Sequence, residues 1–129
     1  MKTEPSTFSW DDLKAKGKVE WDGVRSYEAR NNMKKMKKGE LVFIYHSVKK
    51  PEIVGIAKVV AEAHPDSTDT TGVWWCVDVA PVKKLERPVS LQEIKAMLEC
   101  AHMELVKKSR LSVSPVTEHE WKVLLSLVV

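Results

Sequence analysis

Apolar residues recur along the chain in two rhythms. Glu40–Ser47 (ELVFIYHS), Ile53–Ala63 (IVGIAKVVAEA) and Val73–Leu85 (VWWCVDVAPVKKL) are nearly continuous apolar blocks rich in β-branched residues, and they predict buried strands. Arg110–Val116 (RLSVSPV) alternates instead, Leu111 and Val113 apolar against Ser112 and Ser114 polar, which predicts a half-buried strand. Gly55 and Pro81 interrupt two of the runs at places suited to a bulge or corner in a curved sheet. His64–Gly72 (HPDSTDTTG) reads as the one long turn.

The second rhythm is helical, and it begins four times. Ser90–Glu93 and Thr117–Glu120 are full capping boxes, and Ser9–Asp12 is a near one. Each is flanked by an apolar pair that fixes the entry angle of the chain: Phe8 with Leu13, Val89 with Ile94, Val116 with Trp121. The fourth start, in WDGVRSYEARNN (Trp21–Asn32), has Ser26 as its cap, an apolar face of Ala29, Met33 and Met36, and Gly39 as a left-handed stop. Its flanking pair is Arg25 and Arg30, and a cation near an exposed helix N-terminus costs about 0.3–1 kcal/mol. Local stability does not explain these arginines. Something polar or anionic belongs beside Arg25, while Arg30 suits an acidic neighbour.

Without repeats, linkers or low-complexity stretches, residues 1–129 read as one α+β domain, a small curled sheet or barrel decorated by short helices. At 43% hydrophobic and 30% charged residues, the chain has the balance of a soluble globule that closes a real core. A net charge of +3 permits an anionic partner without requiring one. Cys76 and Cys100 lack CxxC spacing and read as reduced thiols of an intracellular protein. The opening MKTEPSTFSWDDL has no signal-peptide run, and no segment approaches membrane-spanning length. The expectation is a monomer without membrane association, cytoplasmic, or nuclear in a eukaryote.

Candidate chemistry is sparse. His46, His64, His102 and His119 are scattered, no glycine-rich phosphate loop exists, and no metal or other cofactor is expected. Trp21, ahead of the Asp22-Gly23 turn, is either a packed core ring or a stacking platform for a flat ligand. Tyr45, His46 and Ser47 end a strand, where polar groups reach a pocket from a rigid base. By alternation Tyr45 shares a face with Phe43, and His46 with Ile44. A lone histidine on an apolar face is more often a satisfied core group than a base. Arg110, with Ser109 and Ser112 nearby, is a bidentate donor or a solvated surface arginine. The lysines of MKKMKKGE (Met33–Glu40) read as a solvated helix face.

MKTEPSTFSWDDL, WDGVRSYEARNNM, GELVFIYHS, VGIAKVV and SRLSVSPVTEHEW, in that order, resemble the EVE domain family of the PUA-like superfamily, from Lys2 to about Leu127. The resemblance implies a mixed β pseudo-barrel with short peripheral helices and a concave pocket for a modified nucleobase, in DNA or RNA. It places Trp21, Val24, Arg25, Asn31, Tyr45, His46, Ser47, Ser109, Arg110, Leu111 and Ser112 at that pocket, with Lys2, Glu4 and Pro5 at one edge. Where the family commonly inserts residues after HPD, this chain runs directly into its next strand.

The function expected is therefore nucleic-acid binding without catalysis. A flipped or unpaired base, a modified cytosine above all, would lie between Trp21 and Tyr45. Ser47, Asn31 and the backbone near Ser109–Ser112 would read its edge, and Arg25, Arg30 or Arg110 would meet phosphate. Two alternatives stand beside it: a small enzyme using His46 as acid–base on a nucleotide or small acid, and a protein-interaction adaptor whose tryptophans are only core.

Overall fold

The computed structural model describes residues 1–128. The helix starts fall where the capping residues put them. Ser9 opens α1 (Trp10–Lys16), Ser26 opens α2 (Tyr27–Lys34), Ser90 opens α3 (Leu91–Ala96), and Thr117 opens the last helix, Glu118–Ser126. The near box at Ser9 is complete after all: Ser9 Oγ accepts from the Asp12 amide, and the Asp12 carboxylate accepts from the Ser9 amide at 2.8 Å. A short helix, α4 (Glu104–Lys107), precedes the last one, α5, and a single 3-10 turn covers Leu98–Cys100.

Five strands form one sheet in the order β1 (Lys2–Thr3), β3 (Leu41–His46), β4 (Glu52–Pro65), β5 (Trp75–Ser90), β2 (Val19–Glu20). β1 runs parallel to β3, and every other pair is antiparallel. The long β4–β5 ribbon bends through four register shifts. One falls between Ile53 and Gly55, and another between Ile56 and Ala57, where Ala57 meets Pro81. The glycine and proline thus mark the curvature, as their backbone properties dictate.

Two expectations need correction. Arg110–Val116 is not a strand. Its alternation is real, with Leu111 and Val113 buried, but the carbonyls of Ser112 and Val113 take single donors from different elements and no ladder forms. Lys2 N–H donates to Ser112 O at 2.8 Å, and the Asn32 amide donates to Val113 O at 2.7 Å. Gly39 does not stop α2, which ends at Lys34 with Lys35 as its C-cap. Gly39, at φ +95°, instead turns the chain into β3 and donates to Val59 O at 2.8 Å.

β3 is buried on both faces, and its alternation divides the core in two. Val42 and Ile44 pack with Trp10, Leu13, Trp21, Ala29, Met33 and Cys76, under α1 and α2. Phe43 and Tyr45 pack with Ile94, Cys100, Met103 and Leu124, under the C-terminal helices. Phe43 stacks on Trp121 with centroids 3.8 Å apart. No helix among the described residues is long and apolar enough to cross a membrane.

Candidate functional site

The Asp22-Gly23 turn, with Gly23 at φ +79°, follows β2 and carries the chain over the sheet edge toward α2. Trp21 keeps its backbone in the sheet, donating to Val77 O at 2.9 Å, and its ring is 7% exposed. Phe8 meets that ring edge-on at 6.0 Å. Between the turn, β1 and the end of α1 lies a cleft of about 530 Å³. Its apolar wall is Phe8, Val19, Trp21 and Val24. Lys2, Lys16 and Arg25 bring cations, Glu20 and Asp22 bring carboxylates, and Thr3, Thr7 and Ser112 bring hydroxyls. Burial, then the neighbouring Asp66 and Glu20, pushes the Asp22 carboxyl above its ordinary pKa. Glu20 lies below its ordinary value because the Ser67 amide donates to it.

One buried anion holds the loop in place. Asp66, 2% exposed, accepts from the Gly23 amide at 2.9 Å and from Arg25 Nη1 at 3.1 Å through one oxygen. Its other oxygen accepts from the Thr68 amide and hydroxyl at 2.8 and 2.6 Å. Burial pushes this carboxyl up, but those hydrogen bonds outweigh it, and its pKa lies below the ordinary value. Arg25 also donates to Thr68 Oγ1 at 3.1 Å. Arg30 donates to Val73 O at 3.0 Å and to Asn31 Oδ1. Both arginines therefore clasp the segment 66–73, a polar clamp where the other helix starts have an apolar one. Arg30's neighbours are a carbonyl and an amide, not the acid expected.

The structure distributes the remaining candidates. Lys2, Trp21, Val24, Arg25 and Ser112 line the cleft. Tyr45 belongs to the opposite face of the sheet and lines a second cavity of about 260 Å³ with Phe43 and Trp121. Trp21 and Tyr45 are thus not two walls of one pocket. Lys2 and Ser112 border both cavities, and Lys2 Nζ donates to Ser109 O at 2.8 Å. His46 Nε2 accepts from the Trp10 amide at 3.0 Å, and burial lowers its pKa, so it is a neutral ring bonded to the first turn of α1. Ser47 sits behind β1, its hydroxyl 3.4 Å from Thr3 O. Leu111 is core. Asn31, Glu4, Pro5, Ser109 and Arg110 are exposed and line neither cavity.

Sequence reasoning missed Asp22, Lys16 and Phe8 as cleft residues, and Asp66 as the loop's anchor. Only the placement of Asp22 in a turn after Trp21 could have drawn attention to it. Glu20, His64 and Cys76 bring donor atoms within 4.8 Å of one another, a spacing that raises a metal centre. Both His64 nitrogens are already engaged, Nε2 with Asp78 Oδ1 at 2.7 Å and Nδ1 with Pro65 O at 3.0 Å. Both partners are acceptor oxygens, so a metal taken up by this ring would have to displace one of them.

Comparison with known proteins agrees with this architecture. A family model described as the EVE domain matches residues 1–127. Human thymocyte nuclear protein 1 is 37% identical over 161 aligned positions, covering 98% of this chain and 72% of that protein. A protein from Agrobacterium tumefaciens superposes with TM-score 0.94 at 46% identity, covering 98% of this chain and 89% of that one. Human THYN1, solved in complex with 5-methylcytosine containing DNA, superposes with TM-score 0.94 at 36% identity, covering 99% and 95%. The chain belongs to the EVE domain family.

Proposed function

We propose that this protein, acting as a single domain, binds DNA carrying a modified cytosine and takes that base into the Trp21 cleft. The observation that carries the reading is a cleft with room for a nucleobase, lined by an aromatic wall, two carboxylates and three cations, in a fold shared with a protein bound to 5-methylcytosine DNA. Cytosine presents an exocyclic amine, and Asp22 or Glu20 supplies the acceptor that pairs with it. Phe8 and Val24 give a 5-methyl group an apolar surface, while Lys2 and Lys16 neutralise phosphate. Extruding the base costs a few kcal/mol in a duplex, so pocket fit and ease of extrusion both contribute to selectivity. Binding without catalysis is the reading favoured at His46, whose lone pair is committed to the Trp10 amide.

The test uses oligonucleotides that differ at one position, bearing 5-methylcytosine, cytosine or thymine, at two salt concentrations. Thymine carries the same methyl group but an acceptor in place of the amine. Asp22→Ala is expected to reduce the preference for 5-methylcytosine over thymine by about 1–3 kcal/mol. Lys16→Gln should weaken all three alike and lower the salt slope by about one. Equal affinity for all three bases, with both variants silent, overturns the proposal.

A further inference from the structure

Beside the cleft, α2 and the chain entering β5 bring aromatic rings and cations together. Tyr27 is 63% exposed, yet its ring is held 5.0 Å from the Trp74 ring at an interplanar angle of 31°. The Arg30 guanidinium stands 5.0 Å over Tyr27, that of Arg25 lies 5.6 Å from Trp74, and Lys34 Nζ lies 4.9 Å from Trp75. Tyr27, Arg30 and Lys34 follow i, i+3, i+7 spacing and share one helix face. The two arginines are already fixed, Arg30 on Val73 O and Arg25 on Asp66 and Thr68. Little ordering entropy remains to be lost when a ligand arrives.

We infer that the Tyr27–Trp74 pair, with Arg30 and Lys34, is a stacking platform for an unpaired nucleotide of the strand whose modified base occupies the cleft. This rests on the proposed function for the class of partner. Two features favour nucleic acid over a protein surface. The exposed Tyr27 ring and the half-buried Trp74 and Trp75 rings alternate with cations, the pattern that holds bases by stacking and phosphates by charge. Arg25 also lines the cleft, so the platform and the cleft share a rim. The acids nearby are engaged internally: Glu28 pairs with Lys108, and Asp69 accepts from the Trp74 and Thr71 amides.

The experiment compares two ligands, the 5-methyl-dCMP mononucleotide and a single-stranded 11-mer with that nucleotide at its centre. Tyr27→Ala, at an exposed position, is expected to weaken the 11-mer roughly 5- to 150-fold, as loss of one base stack does, and to leave the mononucleotide unchanged. Lys34→Gln should lower the salt slope for the 11-mer by about one. Mononucleotide binding abolished by Asp22→Ala but untouched by Tyr27→Ala separates the two sites. If the 11-mer still loses affinity in Tyr27→Ala while the mononucleotide does not bind at all, the platform stands and the cleft reading fails. Unchanged 11-mer affinity in Tyr27→Ala overturns the platform. So does self-association of the free protein that Tyr27→Ala abolishes, because a second copy would then be the occupant.

Discussion

Gly55 has no room for a side chain. A Cβ there would stand 2.6 Å from Cε3 of the Trp10 indole, far inside normal contact. The indole Nε1–H finds no acceptor, so this ring is kept for its shape over the bent strand. Gly55→Ala is expected to lower stability by about 1–3 kcal/mol, through displacement of the indole or of β4. A urea titration checks this, with a lower midpoint and an unchanged m-value. The sequence shows Gly55 as a bulge residue, but its partner lies 45 positions upstream, where no local pattern points. Asp66 is a similar case. In HPDSTDTTG nothing distinguishes it from Asp69, although one is buried under two loops and the other caps a turn.

At the scale of elements, the cues that survived into the structure are those whose physics is local. Capping boxes satisfy their own amides, and apolar runs bury themselves whatever they face. Cues that depend on a distant partner did not survive. Arg110–Val116 alternates like a strand, yet the edge it would pair with is taken by single bonds from Lys2 and Asn32. Arg25 promised a polar or anionic neighbour, and Asp66 supplies it from another part of the same chain, whereas Arg30 meets the Val73 carbonyl and the Asn31 side chain.

Two histidines tie elements together with opposite pH dependence. His46 joins β3 to α1 as an acceptor, and its pKa is lowered by burial from 6.5. Its contribution is complete above about pH 6.5 and is lost as pH falls toward its depressed folded value. His64 joins β4 to β5 as a donor, its pKa raised from 6.5 chiefly by the Asp78 hydrogen bond. That contribution is complete below about pH 6.5 and is lost as pH rises through the elevated folded value. The buried Met1 amine, pulled from 8.0 to about 5, adds its own rise of stability with pH, so each histidine is read as wild type minus variant. Between about pH 5.5 and 8.5, the urea-midpoint difference between wild type and His46→Gln should shrink as pH falls below about 6.5, and that between wild type and His64→Gln should shrink as pH rises above it. Differences that do not change with pH would contradict the assignment.

For the whole molecule, the class and the helix positions were legible, but the division of the core was not. Tyr45 and Trp21 each read as pocket walls, and only the alternation of β3, seen against both helix layers, places them on opposite faces. That division leaves one thiol in each half. Cys76 is sealed under α1 and α2 and Cys100 under the C-terminal helices, both at 0% exposure. Burial pushes both thiols above the ordinary pKa, with Glu20 adding to the effect at Cys76. The thiolate is the nucleophile that attacks iodoacetamide and expels iodide, so each buried cysteine stays silent until its own half opens. Mass spectrometry of iodoacetamide-labelled peptides across a denaturant series then follows the two halves separately. The β3–β4–β5 sheet, Leu41 to Ser90, contributes residues to both halves, which predicts coincident labelling curves. Curves that separate would mean that the C-terminal helices detach while the cleft is still intact, giving the two cysteines the role of built-in clocks for each side of the sheet.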